Sequence, residues 1–332
     1  MPLIVGGNRR KYHKWTILQL IVINLQLIVI KKIGNKYFMR TIIFLLTLIT
    51  VVCKVTSGQV IDMHLHSYTD KNFWVGKAPN GFESSKNAKE TLEQTIQKMN
   101  EHKIEYAVVC GSIESLEIYT KADKRFIAGY GDYEDTLISI TKFEEYIKSG
   151  KIKVFGEIMA VYKGQTLADP VYQPYLAICE KYGIPVGYHS GGSFPNTQNL
   201  GWPKYRIALG DPFLIEDVLV KYPNLKLYLM HAGEHFYENT LRMMDGYSNL
   251  YVDLGVEMWI NPMTKDFAVK FLKLAKVYGL LDRVMFGSDQ MVWPEAITSS
   301  INFLEALDFL TKEEKEMIFY KNAKTFLGLK DK

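Results

Sequence analysis

Eight short runs rich in apolar and β-branched residues, each followed by a stretch with helical spacing, leave this chain very few architectures. The runs cover residues 60–65, 105–110, 125–131, 153–158, 185–189, 226–231, 250–254 and 283–287. Helical patterns occupy 87–101, 112–121, 136–149, 170–182, 211–221, 236–246 and 263–278, with a further one at 295–308 after the last run and a short helical tail at 311–328. Strands alternating with helices imply parallel β-α-β units. Eight units close a (β/α)8 barrel, whereas seven or fewer would make an open doubly wound sheet. The first run is not followed by a glycine-rich fingerprint, since Asp62-Met63-His64-Leu65-His66 stands in its place. The dinucleotide-binding form of the open sheet is therefore set aside, and the expected fold is an α/β (β/α)8 TIM barrel over residues 59–330.

Residues 1–58 read as a leader outside that barrel. They hold nine of the 40 Lys and Arg and no acidic residue, which leaves 31 basic against 36 acidic residues in the body. A net negative body speaks against nucleic acid as a partner, because phosphate contacts need Lys and Arg. The apolar runs 16–30 and 41–52 fall short of the ~20 residues of a comfortable membrane span. Met39-Arg40, the apolar core 41–52 and the small residues of Val55-Thr56-Ser57 together resemble a secretory signal over 39–57, with translation starting at Met39. Export to the periplasm or medium is the expectation. A retained N-terminal membrane anchor is the alternative, and the leader is the only expected route to a membrane. Cys110 and Cys179 fall in apolar runs and read as small buried hydrophobes; neither a disulfide framework nor a thiolate zinc site is legible.

Polar residues at the ends of five of the eight runs carry the chemistry. Strand side chains alternate faces, so Asp62, His64 and His66 are expected on one face and Ile61, Met63 and Leu65 on the other. A lone histidine is more often a hydrogen-bonded core residue. Two at i and i+2 need partners or a shared ion, because a buried polar group without a partner costs about 1–3 kcal/mol. Glu157, His189, His231 and Asp289 end four further runs. At about 31 residues per unit of a ~250-residue barrel, the gaps of 91, 32, 42 and 58 residues between His66, Glu157, His189, His231 and Asp289 assign them to strands 1, 4, 5, 6 and 8. All then face the C-terminal mouth, where barrel enzymes keep their chemistry. Nitrogen and oxygen donors without thiolate suit zinc, manganese, iron or cobalt, and residue types do not choose among them; zinc is the expectation, with the other three as alternatives.

The segments Ile61-Asp62-Met63-His64-Leu65-His66, Pro185-Val186-Gly187-Tyr188-His189-Ser190-Gly191, Leu229-Met230-His231-Ala232-Gly233, Tyr251-Val252-Asp253 and Val284-Met285-Phe286-Gly287-Ser288-Asp289, in that order, resemble the amidohydrolase-related family. This is the branch of the amidohydrolase superfamily that includes aminocarboxymuconate-semialdehyde decarboxylase. The resemblance spans 59–328. It implies that His64, His66, His189 and Asp289 hold one metal, that His231 sits beside it to orient water or polarise a carbonyl, and that Asp289 is the base. Glu157 occupies the position that bridges two metals in two-metal relatives, so one or two ions are expected.

The expected reaction is attack of activated water on an amide, ester or lactone carbonyl of a small molecule. Metal-dependent decarboxylation of an aromatic or unsaturated acid is the alternative. A deoxyribonuclease of the same superfamily loses to the acidic body, and a barrel kept only for binding loses to the filled site positions. Arg206, among the aromatics of the long 190–210 segment, is the candidate anchor for an anionic substrate. Homo-oligomerisation is left open.

Overall fold

The computed structural model describes residues 59–330 apart from Asp135. The leader, with its signal-like segment 39–57, lies outside the described residues. No helix among them is long and apolar enough to cross a membrane.

Eight strands follow one another around a sheet in chain order: β1 (Val60–His66), β2 (Ile104–Gly111), β3 (Phe126–Tyr130), β4 (Val154–Ile158), β5 (Val186–His189), β6 (Leu227–Met230), β7 (Leu250–Asp253) and β8 (Val284–Met285). Every pairing from β1–β2 to β7–β8 is parallel. The connecting helices are α1 (Ala88–Glu101), α2 (Ile113–Ala122), α3 (Ile140–Lys148), α4 (Gln173–Tyr182), α5 (Glu216–Lys221), α6 (Tyr237–Gly246) and α7 (Pro262–Tyr278), with α8 (Glu295–Glu305), α9 (Lys312–Glu316) and α10 (Asn322–Leu327) after β8. The alternation in the sequence thus resolves into the TIM barrel it implied. β8 is shorter than its apolar run because the Phe286 N–H turns away to the Ile318 carbonyl.

Two apolar layers form, one on each side of the strands. Val60, Leu65, Val109, Phe155 and Leu229 pack outward under the helices with Leu92, Leu116 and Phe143. Ile61, Met63, Val108, Cys110, Val154, Tyr228 and Met285 fill the barrel interior, and Phe326 of α10 packs against Tyr228 and Tyr251 from below. Glycines make room for the Tyr228 ring: a Cβ on Gly187 would stand 2.7 Å from that ring. Cys110 and Cys179 are buried and free.

The expected strict alternation along β1 does not hold. Asp62 stands opposite Ala107 and Leu65 opposite Val109, so three residue steps on β1 face two on β2. This is a bulge. It lets Ile61 and Met63 face the interior while Leu65 faces the helices, and it brings His64 and His66 to the mouth together. The Asp62 carboxylate holds the bulge. Its Oδ1 accepts the His64 N–H at 3.0 Å and the Ser288 N–H at 2.9 Å. That second bond also ties β1 to the segment after β8, beside the Met63 N–H to Phe286 carbonyl bond at 2.8 Å and the Asp289 N–H to His64 carbonyl bond at 2.7 Å. Asp62 is a clamp across the barrel seam.

Removing that acceptor strands two buried N–H groups. Asp62→Ala is expected to lower unfolding stability by about 2–5 kcal/mol, and Asp62→Asn, which keeps an acceptor oxygen, by clearly less. Urea unfolding followed by circular dichroism measures both; equal losses would remove the clamp role.

Candidate metal centre

The strand ends converge at the C-terminal mouth. His64 and His66 come from β1, Glu157 from β4 and His189 from the end of β5; His231 follows β6 and Asp289 follows β8. All six side chains are buried. Groups of three of them bring one donor atom each within 4.8 Å of one another: His64, His66 and Glu157; His64, His231 and Asp289; Glu157, His189 and His231.

Hydrogen bonding on the outer side of each ring decides what faces the centre. The Nε2 of His189 lies 3.0 Å from the Gly192 carbonyl and the Nδ1 of His231 lies 3.0 Å from the Gly255 carbonyl. A carbonyl only accepts, so both of these nitrogens carry the proton. The opposite nitrogens, His189 Nδ1 and His231 Nε2, then present lone pairs 3.0 Å apart, at 2.6 and 3.3 Å from Glu157 Oε1. On the other side, His64 Nε2 lies 3.7 Å from Glu157 Oε2 and 3.6 Å from Asp289 Oδ1, and His66 Nε2 lies 3.6 Å from Glu157 Oε2 and 2.7 Å from Asp289 Oδ1. His64 Nε2 and Asp289 Oδ1 are buried without any hydrogen bond.

Acceptors facing acceptors in a buried site repel unless a cation lies among them. Donors held about 2.0–2.1 Å from a tetrahedral ion stand roughly 3.4 Å apart, close to most of these separations. The shortest, 2.6 Å between His189 Nδ1 and Glu157 Oε1, is that of a charge-assisted hydrogen bond, while His66 Nε2 and Asp289 Oδ1 touch at 2.7 Å without the geometry of one. Protons and a divalent ion therefore compete for the same lone pairs. The residues present fit such an ion on donor type, spacing and orphaned atoms alike.

The electrostatics agree. Burial alone would raise the Glu157 carboxyl, but the imidazoles of His189, His231 and His64 hold it well below the usual range. Asp289 is lowered in the same way, against its burial, by His64 and His66. Burial works against a charged His64, yet Asp289 and Asp253 raise it well above an ordinary histidine.

Several contributors had no role assigned from sequence. Asp253, at the end of β7, accepts the His231 and Gly255 N–H groups through Oδ1 at 3.1 and 2.8 Å and sets Oδ2 3.3 Å from His64 Nδ1. Its place as a polar residue ending an apolar strand is the same signal that marked the others. The Gln290 amide pairs with both the N–H and the carbonyl of His66. The Tyr133 hydroxyl lies 3.2 Å from His66 Nδ1 and donates to Glu157 Oε2 at 3.3 Å, and nothing in its sequence surroundings marks it. Arg206 is not brought to the centre. Its exposed guanidinium donates to the Pro203 and Tyr205 carbonyls, and it lines a shallow cavity beside the β5–α5 loop. His102, outside the centre, is half-buried against the Thr298 hydroxyl at 2.7 Å.

Above the centre lies a cavity of about 350 Å³. His66, Glu157, His189, His231 and Asp289 form part of its wall, with Tyr68, Trp74, Tyr162, Phe194 and Trp202 around them. Trp259 and Trp293, beyond β7 and β8, are buried and pack behind it.

Comparison with known proteins gives this geometry a context. Residues 139–329, more than half of the chain, match the amidohydrolase family. No curated protein sequence matches the chain. Among solved structures, an uncharacterized TIM-barrel protein from Bordetella bronchiseptica superposes with a TM-score of 0.63 at 20% identity, covering 82% of this chain and 99% of its own. A probable 2-pyrone-4,6-dicarboxylic acid hydrolase from Acinetobacter baumannii gives 0.59 at 16%, covering 81% and 99%. The 5-carboxyvanillate decarboxylase from Sphingomonas paucimobilis gives 0.53 at 11%, covering 82% and 99%. At these identities the likeness is one of fold.

Asp253 touches no cavity but orients His64 and His231. Its replacement in Asp253→Ala is expected to weaken divalent-metal affinity roughly 10–100-fold while the barrel stays folded. Titration against a chromogenic chelator, with circular dichroism alongside, reads the two effects separately.

Proposed function

The chain belongs to the amidohydrolase family, and from that premise we propose that it is a metal-dependent hydrolase acting on an amide, ester or lactone carbonyl of a small organic molecule. The observation that carries this reading is the Glu157 carboxylate. One oxygen faces the lone pairs of His189 and His231 and the other faces His64 and His66. His64, His66 and Asp289 would hold one divalent ion, and Glu157 with His189 and His231 would be able to hold a second. Zinc is the proposed metal. When bound, it supplies Lewis acidity, which polarises a carbonyl and draws the pKa of water toward about 7.

The chain's own groups do the rest. Asp289 sits at the cavity wall with Oδ1 free of hydrogen bonds, so it can take a proton from the attacking water and return it to the leaving group. His231 keeps its orientation through its Nδ1–H to the Gly255 carbonyl and lines the cavity. Met291 and Ile260 close part of the same wall with apolar surface and restrict bulk water.

Decarboxylation is the second reading, and one observation favours it. The Tyr133 hydroxyl, between His66 and Glu157, is an O–H acid placed to hand a proton to carbon after carbon dioxide leaves. Against it, no Lys or Arg is found among the residues lining the cavity to hold an anionic substrate.

The experiment is direct. The protein loaded with zinc is screened on lactones, amides, esters and aromatic carboxylates, with acid release and carbon dioxide measured in parallel. Acid release that stops on chelation and in Asp289→Ala or His64→Ala, with the variants still folded, is the expected result. Carbon dioxide without acid release from the carbonyl substrates would replace hydrolysis by the second reading, and undiminished turnover in Asp289→Ala would remove its assigned role.

A further inference from the structure

The cavity wall is polarised in a way that metal chemistry does not require. Its described lining holds no Lys or Arg. Its one charged group outside the six centre residues is Glu234, three residues beyond His231. The carboxylate is largely buried, with 13% of its side chain exposed. Its Oε2 accepts the Gly192 N–H at 2.5 Å, and no hydrogen bond to Oε1 is found among the described residues.

The backbone is built to hold that carboxylate in place. Glu234 adopts φ 50°, ψ −114°, a region that residues with side chains avoid unless surrounding contacts hold them there. On the facing loop, Gly191 and Gly192 have no side chain to spare: a Cβ on Gly192 would fall 2.2 Å from Glu234 Oε2, and one on Gly191 2.6 Å from Glu234 Cβ. Burial would raise the Glu234 carboxyl, but His235 and the Gly192 N–H bring it below the usual range, so it stands as an anion. Glu257, buried nearby, is pushed up by burial and then by the Glu234 and Asp253 charges, and offers no compensating positive group.

Aromatic rings make up much of the remaining wall. Trp202 packs edge-on against Tyr162 at 5.5 Å, and Trp74 against Trp293 at 4.8 Å. His235, with Nδ1 3.7 Å from Glu234 Oε2, is a basic side chain beside this carboxylate, but it does not line the cavity. An anion in an aromatic wall that holds no Lys or Arg attracts positive charge through the carboxylate and through the ring quadrupoles.

We infer that Glu234 and the surrounding aromatic wall select a substrate carrying a protonated amine away from its reactive carbonyl, and select against one carrying a second carboxylate. This substrate class rests on the hydrolase reading of the same site, but its test needs no turnover. The zinc-loaded full-length protein is titrated with three matched probes, 2-phenylethylammonium, propylbenzene and 3-phenylpropanoate, by quenching of tryptophan fluorescence. The ammonium probe is expected to bind more tightly than propylbenzene, by about tenfold or more for a charged hydrogen bond in a buried site. In Glu234→Gln that ratio is expected to collapse and the carboxylate probe to gain affinity. Should that variant not fold, the wild-type ranking of ammonium over propylbenzene still decides. An ammonium preference that survives Glu234→Gln, a carboxylate affinity that fails to rise, or tighter wild-type binding of propylbenzene each overturns the assignment. Absence of any hydrolytic product would sink the hydrolase reading alone and leave these affinities interpretable.

Discussion

Lone pairs aimed at one another, away from water, are the constraint around which this protein is arranged. Two carbonyls, of Gly192 and Gly255, fix the protons of His189 and His231 on the outward nitrogens. The inward nitrogens must then meet each other and Glu157 Oε1 within 3.3 Å. Such a cluster is stable only with positive charge inside it, as protons or as metal ions, because isolated buried acceptors have no favourable partner. The scaffold's task is to keep the donors together against this repulsion. A barrel does so because paired parallel strands hold their ends side by side, and single backbone bonds such as Met63 N–H to the Phe286 carbonyl tie β1 to the segment after β8.

The loops beyond those strand ends show how tightly that task is performed. Of the eight non-glycine residues with positive φ among the described residues, six are His231, Ala232, Glu234, Val256, Asp289 and Met291. All lie just past β6, β7 and β8, around one side of the cavity. Left-handed backbone at non-glycine positions persists only where surrounding contacts over-determine it. Here those contacts are visible: Asp253 Oδ1 takes the His231 and Gly255 N–H groups, and the Asp289 N–H reaches the His64 carbonyl. The turns that aim His231 and Asp289 inward are thus held by bonds between neighbouring strands, and the ligand geometry depends on the seam of the barrel as much as on the ligands.

How much of this can be read from residues alone follows from which forces are local. The eight strands and their helices are set by apolar periodicity, a local property, and 60–65 or 226–231 already declare themselves in the sequence. The six centre residues are legible for a related reason: each is a polar group ending an apolar run, and the spacings are close to whole numbers of β-α units except His189 to His231, where a long loop adds to one unit. Asp253 carries the same signal. Its role is hidden because a carboxylate that orients an imidazole and one that binds an ion look identical in one dimension. The β1 bulge is invisible because it depends on Asp62 finding the Ser288 N–H from 226 residues away. Arg206 misleads because its guanidinium is satisfied by carbonyls of its own loop, at Pro203 and Tyr205, a local alternative that sequence cannot weigh against a ligand in the cavity.

The charge of the cavity separates this chain from a simple reading by fold. Solved structures that superpose on it include one named as a dicarboxylic acid hydrolase and one named as a carboxyvanillate decarboxylase. Both names describe anionic substrates, and recognising a carboxylate inside a pocket calls for a cation to pair with it. Here the one charge beyond the centre is the carboxylate of Glu234, seated against Gly191 and Gly192 where a side chain on either would displace it. Bound metal would neutralise Glu157 and Asp289 but not Glu234, which lies outside their cluster. The Glu234 carboxylate, with His235 beside it but outside the lining, therefore still presents negative charge at the cavity wall.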